Sequence, residues 1–194
     1  LHELSARSGL SELRTRPLLT PKATAEIFSG PREGSRGLVT CTSPRLAKAT
    51  LTAVSRVRAL GCTLPLEVYH IAELSPTQER RVAQGLRAHS SYEDRRIESR
   101  VIDLWPRLSA EVRAREDEVD AVRGYPCKPL ALLASAFDEV LLFDHDTVFI
   151  NDPTPLLASS IFVANGLLLF RDRQMLGQPG APVKSASRYV RQLA

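Results

Sequence analysis

The chain has 194 residues, of which 43% are hydrophobic and 25% charged, with 26 Lys and Arg against 22 Asp and Glu. These values fit one globular domain with a sizeable core, and they exclude a collagen, a disulfide mini-protein and a fully disordered chain. No apolar run approaches the ~18 residues of a membrane span. A net charge of +4 with scattered arginines and few aromatic residues gives no sign of nucleic-acid binding.

The cysteines are few and far apart. Cys41, Cys62 and Cys127 form no C-x-x-C pair, which argues against a zinc site and a dense disulfide framework. One bridge with a free thiol and three reduced thiols both remain open.

Residues 1–36 and the remainder of the chain differ in pattern. The first segment contains Pro and Gly with scattered charges and little periodicity, which is typical of a linker or a loosely packed arm. From Gly37 onward, short apolar runs alternate with helical stretches, and we expect one domain over residues 37–194. The alternation predicts an α/β fold with a mostly parallel, Rossmann-like central sheet flanked by helices.

The sequence of the first half of this domain predicts three strands and two helices. The strands are Gly37–Cys41, Leu64–Ile71 and Arg100–Leu104. A helix with its cap at Ser43 and Pro44 in its first turn ends before Gly61. A second helix opens with the capping box Ser75-Pro-Thr-Gln78 and continues to about Leu86.

The second half predicts two more helices and two strands. Charged residues with one apolar line favour a surface helix over Ser109–Val122, and Lys128–Phe137 favours another. Glu139–Phe143 is entirely apolar after its first residue, so we expect a central, buried strand. Asn165–Phe170 predicts one more strand.

The chemistry concentrates on Asp144 and Asp146, which follow the apolar strand directly. Ligands of open α/β sheets bind at the carboxyl ends of the strands, and unpaired buried carboxylates there are costly. Carboxylate oxygens suit Mg²⁺ or Mn²⁺ that also contacts a phosphate. The alternative is an Asp pair that caps a turn, with Asn151-Asp-Pro153 following.

The histidines give weaker signals. Strand alternation predicts that His145 points away from both aspartates and forms a wall of the site. His70 lies in an apolar strand and is interpreted as a hydrogen-bonded core residue, whereas His2 and His89 are interpreted as solvated.

Two further segments are candidates for ligand contact. Lys128 stands just before a predicted helix, and on its own is an ordinary surface lysine. Thr40, Cys41 and Thr42 end the first strand, where a sheet presents its backbone to a ligand; Cys41 could equally be packed in the core.

Several segments together resemble the fungal-type α-mannosyltransferases, the family that includes the α-1,3-mannosyltransferases of glycan outer chains. They occur in order between Gly37 and Arg173, and the most specific is K-P-x-A-L-L-x-S-x-F-x-E-V-x-x-x-D-x-D. The matching segments are GLVTCT (37–42), CTLPLEVYH (62–70), RVIDL (100–104), GYPCKPLALLASAFDEVLLFDHDTVFINDP (124–153) and NGLLLFRDR (165–173).

The resemblance implies a GT-A-type glycosyltransferase domain that uses Mn²⁺ or Mg²⁺. Mannose would pass from GDP-mannose to a mannose-containing glycan or glycoprotein with retention of configuration. Asp144 and Asp146 would be the metal ligands, with Asp144 also facing the donor ribose. Lys128 would contact a donor phosphate, and Thr42 matches a region that lines the nucleotide pocket. Full-length relatives are type II membrane proteins of the Golgi lumen, so we expect membrane contact only through an anchor outside this chain.

The sequence also departs from the family pattern. His145 stands where relatives carry a small residue, and the segment 107–123 is expanded and highly charged. Relatives continue well beyond Arg173, so the resemblance implies a domain truncated at its C-terminus that lacks the acceptor site.

Two other functions are consistent with the same residues. One is a non-catalytic nucleotide-sugar-binding or scaffold domain. The other is a haloacid-dehalogenase-type phosphatase, in which Asp144 would be the nucleophile, Asp146 the general acid and base, and Mg²⁺ the cofactor. That motif normally opens its domain, whereas here three predicted strands precede it and only 48 residues follow Asp146.

Overall fold

A computed structural model describes residues 32–92, 95–114 and 119–170 of the chain. The described residues divide into two compact units, one up to Leu157 and one from Ala158 onward. Within these ranges, no helix is both long and apolar enough to cross a membrane. A linker or arm was predicted for residues 1–36. Its first 31 residues lie outside the described residues.

The first unit is built on a four-stranded, all-parallel sheet, which confirms the predicted α/β, Rossmann-like class. Two further short strands, β3 and β4, form an antiparallel hairpin that the sequence pattern did not predict. The strands are β1 (Arg32–Cys41), β2 (Leu66–His70), β3 (Ser91–Tyr92), β4 (Arg95–Arg96), β5 (Ser99–Asp103) and β6 (Phe137–Leu142). β1 begins five residues before the predicted start at Gly37, because Arg32 and Arg36 already pair with β6.

The helices predicted after Ser43, from Ser75 and near Lys128 agree in position and differ at some ends, whereas the helix Ser160–Asn165 was not predicted. They are α1 (Ala47–Ala59), α2 (Pro76–Ala88), α3 (Ala110–Arg113), α4 (Val119–Val122), α5 (Cys127–Ala134) and α6 (Ser160–Asn165), with 3₁₀ turns at Trp105–Arg107 and Thr154–Ala158. The single surface helix predicted for Ser109–Val122 is replaced by the short helices α3 and α4, with residues 115–118 outside the description.

The predicted helix caps are correct in one case and wrong in the other. Ser75 and Gln78 form the full capping box of α2. The start predicted for α1 is wrong, because Leu46 is its N-cap and makes no side-chain cap. The Ser43 carbonyl instead accepts the Leu46 and Ala47 N–H groups, at 3.0 and 2.9 Å, in a turn that precedes the helix.

The order of the strands places a topological switch point between β1 and β6. The sheet runs β5-β2-β1-β6, so the chain builds outward from β1 to β5 and then crosses to the other side of β1. In open α/β sheets, ligands bind at the carboxyl ends of the strands where the order reverses. The ends of β1 and β6 are therefore the expected binding edge.

Apolar side chains cover both faces of the sheet. One cluster joins Leu38 and Val68 to α1 and α2, and the other joins Val39 and Tyr69 to α5. Alternate residues of each strand enter opposite clusters, as the two-residue period of a strand requires.

β6 is not the central strand that its apolar sequence predicted. Among the described strands it pairs with β1 alone, at the end of the sheet, and most of its residues are half-buried. Leu141 packs against one cluster and Val140 and Leu142 against the other. The apolar sequence of β6 therefore indicates that both faces of the strand are covered. It does not indicate that the strand has a paired neighbour on each side.

The strand predicted over Asn165–Phe170 is also wrong. Asn165 is the last residue of α6, and Gly166 caps that helix with a φ of +66°. Leu167, Leu169 and Phe170 follow without regular structure and are exposed. An Asn-Gly pair before an apolar run is compatible with a left-handed helix cap as well as with the start of a strand.

Candidate functional site

The two aspartates of the D-x-D sequence lie on a tight turn at the end of β6. The Thr147 N–H donates to the Asp144 carbonyl at 3.0 Å, and the Thr147 hydroxyl accepts the Asp144 N–H at 3.0 Å. Beyond the turn, Phe149 packs edge-on against Phe143 at a centroid distance of 5.8 Å. These contacts fold Asp146 back toward Asp144, and they assign Thr147 a supporting role that the spacing alone did not indicate.

Lys128 lies against the first aspartate of the turn. Its Nζ forms an ion pair with Asp144 Oδ2, and it stands 5.1 Å from the centre of the Tyr125 ring. Partial burial alone would raise the pKa of the Asp144 carboxyl, but the hydrogen bond and charge of Lys128 outweigh it and lower that pKa. Asp144 is therefore ionised at neutral pH, as a metal ligand must be.

His145 does not point away from the aspartates as strand alternation predicted. Its Nδ1 lies 3.2 Å from Asp144 Oδ1, and one ligand atom from each of Asp144, His145 and Asp146 fits within a 4.8 Å cluster. The prediction was wrong because the strand ends at Leu142, so its alternation no longer holds in the turn. The two carboxylates of this set are ligands that suit Mn²⁺ or Mg²⁺, and the imidazole lies beside them.

An open groove of about 460 Å³ lies between the turn and α1. Arg45, Lys48 and Arg56 line it from the helix side, and His145, Asp146 and Thr147 line it from the turn. The sequence analysis missed these three cations. Their signal was present, since with Thr52 they recur at intervals of three and four residues, on one face of a helix.

Thr40 and Cys41 end β1 and Thr42 follows it, but none of the three is among the residues that line the groove. Thr40 and Thr42 are buried, and the Thr42 hydroxyl is 3.0 Å from that of Thr50 in α1. Their contact with a donor stays a prediction, as does that of Lys128.

The three cysteines are free thiols in this structure. Half-buried Cys41 packs against buried Cys127, and their hydrogen bond together with burial raises the pKa of Cys127. The Cys127 thiol is therefore protonated at neutral pH and is not a reactive thiolate.

A second group of metal-ligand side chains lies at the ends of β2 and β5. His70 is buried as expected, but the hydrogen bond expected for it is absent, because neither of its ring nitrogens has such a partner among the described residues. Glu79 and Asp103 stand beside it, and the three side chains form a second cluster within 4.8 Å. His89 is half-buried, whereas His2 lies outside the described residues.

The fold and the turn together define an α/β domain with an acidic, metal-compatible ligand edge at its switch point. The family model described as "Mannosyltransferase putative" matches residues 35–186. The chain belongs to this mannosyltransferase family, and the resemblance in the sequence is confirmed at that level.

Three curated relatives agree with the family. The alpha-1,2-mannosyltransferase MNN21 of Candida albicans is 30% identical over 125 residues, which are 63% of this chain and 18% of that protein. MNN2 of the same organism is 28% identical over 72% of this chain and 21% of its own length. MNN2 of Saccharomyces cerevisiae is 27% identical over 77% of this chain and 23% of its own length. The match thus spans about a fifth of these relatives.

The comparisons correct the expected linkage, and they bear on the choice between a glycosyltransferase and a phosphatase. The names of these relatives specify an α-1,2 linkage, and not the α-1,3 linkage associated with the resemblance. The phosphatase alternative loses its support, because the family is one of mannosyltransferases and the D-x-D follows the fourth strand of the parallel sheet.

Proposed function

We propose that this chain is the donor-binding part of a metal-dependent mannosyltransferase that uses GDP-mannose and Mn²⁺ or Mg²⁺. The observation that carries the proposal is the Asp144–Thr147 turn, which brings two carboxylates together and presents Asp146 to a groove lined by three cations. The acceptor would be a mannose-containing glycan, joined through the α-1,2 linkage that the names of the relatives specify. The Golgi lumen as the site of action rests on the family resemblance.

The groove supports binding of a diphosphate. Arg45 and Lys48 lie at the N-terminal end of α1, where the helix dipole adds to their positive charge. Arg56 extends the same surface two turns further along the helix. Phosphate oxygens in this groove would lie between the arginines and lysine on one side and the acidic turn on the other.

Each side chain of the turn has a distinct part in this proposal. Asp144 and Asp146 would hold the cation, which supplies Lewis-acid stabilisation to the departing diphosphate. Lys128 is held beside Asp144, within reach of the same region, as a point charge for a phosphate. Retention of configuration rests on the family resemblance, and the leaving phosphate would then take the acceptor proton.

The test is calorimetric titration of the purified chain with GDP, GDP-mannose, UDP and UDP-glucose, with and without Mn²⁺. We expect only the guanosine ligands to bind, and only with Mn²⁺. Asp146→Asn should weaken this binding by about 10–100-fold or more, because it removes a charged metal ligand. Lys48→Gln should weaken it by about tenfold, the loss of one charge-assisted phosphate contact.

The matched control is Asp138→Asn, at the amino end of the same strand, where the carboxylate accepts the Gly34 N–H. It should leave GDP binding unchanged. Equal binding by wild type and Asp146→Asn would refute the metal assignment, and a preference for UDP would refute the donor. A folded chain that binds no nucleotide would overturn donor binding by this part of the protein. Binding of GDP without any transfer or hydrolysis of GDP-mannose would favour the scaffold alternative.

A further inference from the structure

We propose that His70, Glu79 and Asp103 form a second divalent-cation site, suited to a first-row transition ion such as Zn²⁺. The site is independent of the proposed donor site, because β1 separates β2 and β5 from β6 in the sheet. Three separate elements, β2, α2 and β5, bring the ligands together.

The register of the sheet places two of the three ligands side by side. His70 is the last residue of β2, Asp103 is the last residue of β5, and the two are direct partners in the parallel pairing. Glu79 reaches the same point from the first turn of α2, whose start is fixed by the Ser75 capping box. The three ligand positions are thus set by regular structure, which makes a preformed site.

The main evidence for a bound ion is the buried imidazole of His70, which lacks a hydrogen bond. Its exposed fraction is 0%, and neither ring nitrogen makes a hydrogen bond within the described part of the chain. Nε2 lies 3.0 Å from Glu79 Oε1 and Nδ1 lies 3.8 Å from Asp103 Oδ1, but the geometry of a hydrogen bond is not met. An unpartnered buried polar group costs about 1–3 kcal/mol, and coordination to a cation would remove this cost.

The spacing of the cluster fits a single small ion. Zn²⁺ binds nitrogen and oxygen ligands at about 2.0–2.2 Å, so two ligands of one tetrahedral ion stand about 3.4 Å apart. One ligand atom from each side chain lies within 4.8 Å of the other two, and His70 Nε2 lies 3.0 Å from Glu79 Oε1. Small side-chain adjustments would therefore bring three ligands onto one ion, with water as the fourth.

The surroundings support both the orientation and the entry of an ion. Asp103 Oδ1 accepts the N–H groups of Ala72 and Trp105, each at 2.9 Å, which fixes the carboxylate as an outer-shell partner would. The side chains of Glu79 and Asp103 are 39% and 27% exposed, so the site opens to solvent on the carboxylate side. The mixed imidazole and carboxylate set favours Zn²⁺ over Mg²⁺, which takes oxygen ligands.

The test isolates this site by using the variant Asp144→Asn/Asp146→Asn, which removes the carboxylates of the other cluster. We expect the metal-stripped variant to bind one Zn²⁺ per chain by calorimetry, and to give the intense visible absorption of tetrahedral Co²⁺. Adding Glu79→Gln should lower the Zn²⁺ affinity by about 10–100-fold, with the fold kept because this side chain is partly exposed.

His89→Gln, at the end of α2, is the matched histidine control and should leave Zn²⁺ binding unchanged. His70→Gln should abolish the site, and circular dichroism would show whether its chain is folded. The proposal is overturned if the Asp144→Asn/Asp146→Asn variant binds no Zn²⁺, or if Glu79→Gln binds it as tightly. Neither outcome bears on Mn²⁺-dependent GDP binding by the wild-type chain.

Discussion

Two corners of one sheet edge hold acidic residues in opposite ways. The open corner is the Asp144–Thr147 turn after β6, where Asp146 is exposed and faces a groove. The closed corner is the cluster of His70, Glu79 and Asp103 after β2 and β5, where the imidazole is fully buried. The same carboxyl edge thus carries one cluster that faces a groove and one whose histidine is buried in the core.

The difference in burial implies a difference in use. At the open corner, a cation would keep free positions for phosphates and exchange with the solvent, as Mn²⁺ and Mg²⁺ do in substrate complexes. At the closed corner, a cation would join two strands and a helix, and its binding energy would contribute to folding. The two corners offer the same ligand types, one imidazole and two carboxylates, so the division rests on how deeply the imidazole is buried and on the groove that only the open corner faces.

The largest effect that would separate the two corners is expected from Gly37→Ala. A Cβ at Gly37 would lie 2.1 Å from the Phe137 ring, which is in the core where β1 meets β6. The ring must move, so we expect a loss of about 1–3 kcal/mol in the free energy of unfolding, measured by urea denaturation. Because the displaced strand carries the open corner, GDP binding should weaken while Zn²⁺ binding remains.

Gly124→Ala offers a useful contrast. A Cβ there meets no atom within 4 Å, but its φ of +68° is unfavourable for alanine. The free energy of unfolding should then fall only by the backbone cost of about 1 kcal/mol. GDP binding should not weaken selectively. If Gly37→Ala weakens both ligands equally, the two corners are not independent.

The sequence predicted the open corner better than the closed one. Asp144 and Asp146 directly follow an apolar strand, and the family resemblance of the continuous motif added Lys128 to them. Residues 70, 79 and 103 have no informative spacing, because they meet only through the β2–β5 register and the start of α2. His70 was thus correctly interpreted as buried, but its neighbours could not be predicted.

The same distinction explains the two strand errors. Alternation and apolar runs report which faces are covered, and they located the strands of the sheet correctly. They do not report pairing partners, so the apolar β6 was predicted as central although β1 is its only described neighbour. The apolar residues after Asn165 likewise predicted a strand where a helix cap and an irregular segment occur.

A smaller effect is expected from Ala72→Gly beside the closed corner. Ala72 has a φ of +47°, a conformation that costs a non-glycine residue about 1–2 kcal/mol. Its N–H donates to Asp103, and its carbonyl accepts from Arg123 at 2.8 Å, so the surrounding contacts hold it there. Glycine would relieve the strain but lose more chain entropy, so we expect a net gain of about 0.5–1 kcal/mol in urea denaturation. An unchanged or lower stability would show that the alanine methyl group contributes packing at this corner.

The smallest effect is expected from the ion pair of the open corner, measured by its pH dependence in metal-free buffer. The pKa of Asp144 is lowered in the folded chain, so its stabilising contribution is present above the unfolded value of about 3.9. That contribution is lost as the pH falls through the folded pKa, because protonation removes the charge that pairs with Lys128. Urea denaturation of wild type and Asp144→Asn should therefore differ by a constant amount from pH 5 to 7 and converge below about pH 4. The difference should stay below about 1 kcal/mol, since solvent screens this half-exposed pair. A larger difference would place the pair in a less solvated environment, and the two corners would then differ less in exposure than their burial indicates.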